Sequence, residues 1–204
     1  NREDSEIISF IKDDIRFLQD EGVTHFVNAC NSMSVITTDI LLSECAIYSA
    51  HYTDMIRALD AHASFETGTR ILVIATQATI RSGVYQKVLS RKGCIVSTLV
   101  LQELAQMIED NKNDQEVLDL IKEVFVLAKE NKCTHILYGC THYPLVSDVF
   151  MKGKEVHEWS GEFIDPALYV AKEVTSWGLI GERKFTPYSS KDTPAFIKNV
   201  ARAF

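Results

Sequence analysis

Residues 24–31 read THFVNACN, and residues 134–141 read THILYGCT. Each stretch is a Thr-His pair and two apolar residues, then a small residue, a cysteine and a hydrogen-bonding side chain, Asn31 or Thr141. The likeness extends upstream without a gap. EIISFIKDDIRFLQDEGVTHFVNAC (6–30) lies over EVLDLIKEVFVLAKENKCTHILYGC (116–140) at a constant offset of 110 positions. Glu6, Ile11, Lys12, Thr24, His25 and Cys30 meet identical residues, where chance at average composition gives roughly one or two. Apolar meets apolar at 7, 8, 10, 11, 15, 17, 18, 26 and 27. A kept period of this kind marks two copies of one structural unit.

Each copy reads as a helix followed by a strand. Apolar residues at 7, 8, 11, 15 and 18 recur at helical spacing, and Gly22 stands where a helix stops. THFVNAC is a short apolar run of the kind found in buried parallel strands. The cysteine falls at its C-terminal end, and SMSVITTDILLSECAIYSAH (33–52) reads as the next helix. Strand, short loop and helix make an α/β protein, whose ligands bind outside the carboxyl ends of the strands. TRILVIAT (69–76) opens a further unit, with SFETG (64–68) as its linker. The offset then places the start of the first unit about forty residues before Asn1, including a strand matching ILVIAT.

With 204 residues, 46% hydrophobic and 24% charged, the chain has the composition of a globular protein long enough to bury a core. A net charge of −7 argues against nucleic acid, which needs a concentrated basic surface. No apolar run approaches the roughly 18 to 20 residues that span a bilayer, so no membrane partner is expected. The five cysteines, Cys30, Cys45, Cys94, Cys133 and Cys140, have no disulfide-framework spacing and read as reduced thiols in the cytoplasm.

Two homologous units facing each other would set two strand-end thiols on opposite walls of one cleft. Chemistry that needs matched groups on opposite faces of a substrate is racemisation or epimerisation: one thiolate takes the proton from a stereocentre and the other thiol delivers one to the opposite face. Free cysteine, with a pKa of about 8.5, is readily tuned downward for such work. Two inherited core cysteines are the bland alternative. A zinc site at Cys140 and His142 is another, although no second Cys/His pair has ligand spacing.

GCTHYPLV (139–146) resembles the second cysteine motif of the glutamate racemases, cofactor-independent enzymes that supply D-glutamate for bacterial cell walls. NACNSMS (28–34) resembles their first, and ILVIATQATIRSGVY (71–85) the segment opening their second domain. The likeness runs on to FTPYSSKDTPAFIKNVARAF (185–204). The resemblance implies two pseudo-twofold related domains with mainly parallel sheets flanked by helices: residues 1–68 plus 165–204, and 69–164. It implies that Cys30 acts on the D-enantiomer and Cys140 on the L-enantiomer. Asn31, Ser32, Thr79 and Thr141 would bind the amino acid, His142 would hold or relay the Cys140 proton, and Glu109 matches the family's glutamate about thirty residues upstream. Ser32 stands where the family has threonine. No metal or cofactor is implied, the substrate is glutamate, and such enzymes are commonly homodimers. The family's Asp-Ser-Gly and Tyr-Gly elements would fall before Asn1. A racemase for aspartate, or a binding protein on the same scaffold, are the neighbouring readings.

The remaining residues read as structure. His25 and His135 share a packing role such as capping the preceding helix, and Cys133, Cys45, Trp159 and Trp177 pack. Cys94 opens a strand, and EDNKNDQE (109–116), Glu109 apart, is a solvated connection.

Overall fold

The computed structural model describes residues 4–36, 43, 50–181, 186 and 188. Helix α1 (Asp4–Asp20) leads into strand β1 (His25–Asn28), a helix α2 over 31–36, strand β2 (His51–Asp54) and helix α3 (Met55–His62). Then come β3 (Arg70–Ala75), α4 (Gln77–Ser82), α5 (Val84–Arg91), β4 (Ile95–Val100), α6 (Gln102–Glu109) and α7 (Asp114–Glu130). The chain continues through β5 (His135–Gly139), a 3₁₀ turn (Tyr143–Val146), α8 (Ser147–Val156), β6 (Glu162–Ile164) and α9 (Pro166–Ser176). The strands form two sheets, β1-β2 and β4-β3-β5-β6, and every pairing among the described residues is parallel. The protein is therefore an α/β fold with helices against parallel sheets.

Parallel strands buried on both faces need apolar side chains at consecutive positions, and RILVIA and HILY supply them. Because side chains alternate across a strand, the larger sheet feeds two cores. Leu72, Ile74, Ile136 and Tyr138 meet Val117, Ile121, Val124 and Phe125 of α7 and Phe150 of α8 on one face. Ile71, Val73, Ala75 and Leu137 meet Ile56 and Leu59 of α3 and Val88 and Leu89 of α5 on the other. The smaller sheet has a correspondingly smaller core of Ile11, Ile15, Phe26 and Tyr52. Trp159 is buried and donates its indole N–H to Cys133 O at 2.9 Å, among the rings of Phe125 and Phe163.

The repeat survives at the level of single hydrogen bonds. After α1, Gly22 N donates to Gln19 O and Val23 N to Leu18 O, at 2.8 and 2.9 Å. After α7, 110 positions on, Lys132 N donates to Lys129 O and Cys133 N to Ala128 O, at 3.0 and 2.7 Å. Both are Schellman-type closures around one left-handed residue, with φ of 81° at Gly22 and 53° at Lys132. The backbone thus closes these helix ends, and the two histidines do not cap them. His25 Nδ1 and His135 Nδ1 instead each lie 2.9 Å from the hydroxyl of the preceding threonine. The rings then pack differently: His25 stacks on His51 with Trp177 tilted over both, and Phe65 meets His135 edge-on.

One expectation fails between residues 33 and 52. Helix α2 starts earlier, at 31, and residues 51 and 52 belong to β2, where HYTD aligns with His25–Asn28 in parallel register. Aromatic and β-branched residues favour that half-buried pleat. Asp54 then ends the strand and starts α3, its Oδ1 accepting Ile56 N and Arg57 N at 2.9 Å. Cys45, like nearly all of 185–204, lies outside the described residues. Cys94 immediately precedes β4, as expected of a strand opener.

Gly139 is the last residue of β5 and pairs with Ala75. A Cβ there would lie 2.7 Å from Ala75 Cβ and 3.0 Å from Ile74 O. Glycine lets the two central strands close immediately before Cys140. Gly139→Ala is expected to lower unfolding stability by about 1–3 kcal/mol, readable as an earlier urea midpoint, because backbone must shift to admit the methyl.

Candidate active site

The first cysteine is held by the turn that ends β1. Asn28 Oδ1 accepts the N–H of Cys30 at 3.2 Å, and the carbonyl of Cys30 accepts Ser34 N at 2.9 Å and Ser34 Oγ at 2.8 Å. Cys30 therefore stands at the head of α2, half-buried, with Asn31 and Ser32 in the first turn of that helix.

The second cysteine is held differently. Cys140 leaves β5 and meets a 3₁₀ turn, with Tyr143 N donating to its carbonyl at 3.2 Å. Tyr143 is fully buried, and its hydroxyl donates to Leu101 O at 2.7 Å, just before α6 begins. At the other end of α6, Glu109 Oε1 lies 3.0 Å from His142 Nε2, while His142 Nδ1 lies 3.8 Å from Cys140 Sγ. Both ends of one helix, about 12 Å long, grip the cysteine loop. The result is a carboxylate, an imidazole and a thiol in line, the order in which an acid–base relay is built.

Burial pushes the Cys140 thiol above its ordinary value, and the charges of Cys30 and Glu109 push it further. Hydrogen bonds from the backbone of His142 and Tyr143 pull the other way without cancelling the rise. The net direction at Cys140 is upward, because desolvation penalises the thiolate. That Cys30 contributes to the shift places the two thiols in one electrostatic neighbourhood.

Three hydroxyls join the two walls. Ser32 Oγ lies 2.9 Å from Thr76 Oγ1 and 3.3 Å from Thr79 Oγ1, and the threonines lie 3.1 Å apart. Thr79 is fully buried and Asn31 nearly so, while Thr141 is half-buried beside Cys140. The fold thus brings together Cys140, His142 and Glu109 on one side and Ser32 with Thr79 across the gap. Sequence reading missed Thr76, although a threonine preceding an α-helix is an N-cap signal, and Tyr85, whose hydroxyl donates to Asn31 Oδ1.

Two open clefts lie elsewhere. Cavities of about 560 and 580 Å³ open at the N-terminal edge of β5, sharing Thr134 and His135. Chemistry marks the other edge as the candidate site: the matched cysteines, the Glu109–His142–Cys140 series and the hydroxyls all gather at the carboxyl ends of the strands. Among the described residues no group of three or more His, Cys, Asp or Glu is arranged to hold a metal ion. No helix among them is long and apolar enough to cross a membrane.

The family model described as Asp/Glu/Hydantoin racemase matches residues 2–172, which include every described strand, Cys30 and Cys140, and Glu109 and His142. The chain belongs to that family. Among its relatives, a glutamate racemase of Lactococcus lactis is 32% identical over 76% of this chain and 58% of its own length. A glutamate racemase of Picosynechococcus is 30% identical over 83% of this chain and 60% of its own length. The chain thus spans about three fifths of the racemases it matches. The crystal structure of glutamate racemase from Francisella tularensis, in complex with D-glutamate, superposes with a TM-score of 0.74 at 27% identity. That match covers 87% of this chain and 65% of the other.

Proposed function

We propose that this racemase-family chain interconverts L- and D-glutamate without a cofactor, by two-thiol proton transfer at Cα. The observation that carries the reading is the second cysteine's surroundings: a thiol in line with His142 and Glu109 that also feels the charge of Cys30. In this reading Cys140 as thiolate takes the Cα proton of L-glutamate, and the bond pair passes into the adjoining carboxylate system. The Cys30 thiol delivers its proton to the opposite face, giving D-glutamate. Asn31, Ser32, Thr79 and Thr141 supply neutral hydrogen bonds to the amino acid. His142, oriented by Glu109, holds the proton that Cys140 takes and gives up.

The same reading divides the chain into residues 1–68 plus 165–204 and residues 69–164, with the cleft between them. Supporting it, Val170 of α9 packs with Met55 and Ala58 of α3. The D-glutamate formed would serve cell-wall peptidoglycan, as the resemblance implies, and the homodimer it also implies belongs to the same proposal.

The test is incubation with L-glutamate, and separately D-glutamate, in D₂O. Loss of optical rotation from both enantiomers, with solvent deuterium at Cα, is the expected result. Absence of exchange from glutamate alongside exchange from aspartate would replace the substrate, and absence from both would overturn the reading.

A further inference from the structure

Tyr85 lies on α5, 54 positions after Asn31, and is 1% exposed. Its hydroxyl donates to Asn31 Oδ1, and the phenol makes no other hydrogen bond among the described residues. Burial holds the phenol well above its ordinary pKa, and the charges of Asp54, Asp165 and Cys140 add to the effect. A neutral phenol buried this way has one proton to place. Were the Asn31 carboxamide reversed, Nδ2 would face the oxygen and the hydroxyl proton would have no acceptor, an arrangement that buried polar groups avoid. The carbonyl end of Asn31 therefore faces Tyr85, and both side-chain N–H bonds point away from it.

Asn31 adjoins Cys30 in the chain and is itself 3% exposed. Its neighbour Ser32 is held by the hydroxyls of Thr76 and Thr79. Both residues after the first cysteine are thus fixed from the other wall, one by α5 and one by α4 with its cap.

We propose that Tyr85 is a positioning residue: it fixes the Asn31 carboxamide so that Asn31 serves as a donor to a carboxylate of the bound amino acid. The proposal rests on the reading of Asn31 as substrate-binding. Because the hydrogen bond is the same with and without reaction, its loss weakens binding more than turnover.

Tyr85→Phe removes one oxygen and keeps the ring. The expected result is a rise of about tenfold in KM for glutamate with kcat changed by less than about threefold. Asn31→Asp keeps an acceptor for Tyr85 but offers no donor, so its KM should rise further. In an Asn31→Ala background Tyr85→Phe should add nothing, since its effect passes through the amide. An unchanged KM, or an equal rise in that background, would overturn the proposal. A second readout needs no activity: in ¹⁵N-labelled protein without substrate, the Asn31 side-chain N–H bonds should show restricted ps–ns motion, a high order parameter that Tyr85→Phe lowers. A restricted carboxamide in a chain inactive on glutamate would sink the substrate reading alone. A carboxamide already mobile in the unmodified chain would sink the Tyr85 contact.

Discussion

Replacing Cys140 by alanine is expected to lower racemisation by at least about 10³-fold in both directions, since in the proposed two-thiol mechanism each direction uses one thiol as base and the other as acid. Cys30→Ala should lose as much. The two variants differ in what they retain. Without Cys140, the Cys30 thiolate still reaches the Cα proton of D-glutamate and can return a solvent deuteron to the same face. D-glutamate should then exchange its Cα hydrogen in D₂O without inverting, while L-glutamate does not exchange. Cys30→Ala should show the mirror pattern. Proton NMR of the Cα signal reads both, and circular dichroism checks that each variant is folded. Full racemisation by either variant would remove the two-thiol mechanism.

The relay behind Cys140 gives the second large effect. His142→Asn should lower kcat by about 10²-fold, since the group proposed to hold the transferred proton is gone. Glu109→Gln keeps a hydrogen-bond partner for the imidazole and should cost about tenfold. The pH profile separates the two roles of Glu109. In the proposed mechanism activity needs one thiol and one thiolate, so it should fall at high pH when the remaining thiol ionises. Burial and the charges of Cys30 and Glu109 raise the Cys140 pKa, so the thiol survives to higher pH. The alkaline limb of kcat/KM should therefore lie above the ordinary thiol value of about 8.5. Glu109→Gln removes one of those charges and should move the limb to lower pH while kcat drops. A limb that stays in place would mean that Glu109 acts on His142 alone.

Much of this was readable from the 110-position offset, because helix closure and strand entry depend on local sequence, and both copies keep it. Gly22 announced its closure; Lys132 did not, since a lysine at φ 53° is chosen by its surroundings. Strand β2 was hidden because its first residues, His51 and Tyr52, follow directly on a run that reads as helical, and pairing with β1 assigns them to the sheet. Glu109 entered only through family likeness, its geometric meaning coming from a histidine 33 positions away. The upward shift at Cys140 was not legible, since a cysteine motif carries no record of how deeply the fold will bury it. Nothing near Tyr85 pointed to Asn31, for a hydrogen bond spanning 54 residues leaves no periodic trace.

Cys30 heads an α-helix, whereas Cys140 precedes a 3₁₀ turn backed by an imidazole and a carboxylate. Mirror-image amino acids have equal free energies in water, so the equilibrium constant between them is unity. Detailed balance then forces kcat/KM to be identical in the two directions, whatever the two walls do differently. Their inequality can appear only in how that ratio divides: the enantiomer with the lower KM must turn over more slowly by the same factor. If the proposed reaction holds, a protein with two copies of one unit is free to let its halves differ in chemistry, because thermodynamics keeps their combined output symmetric.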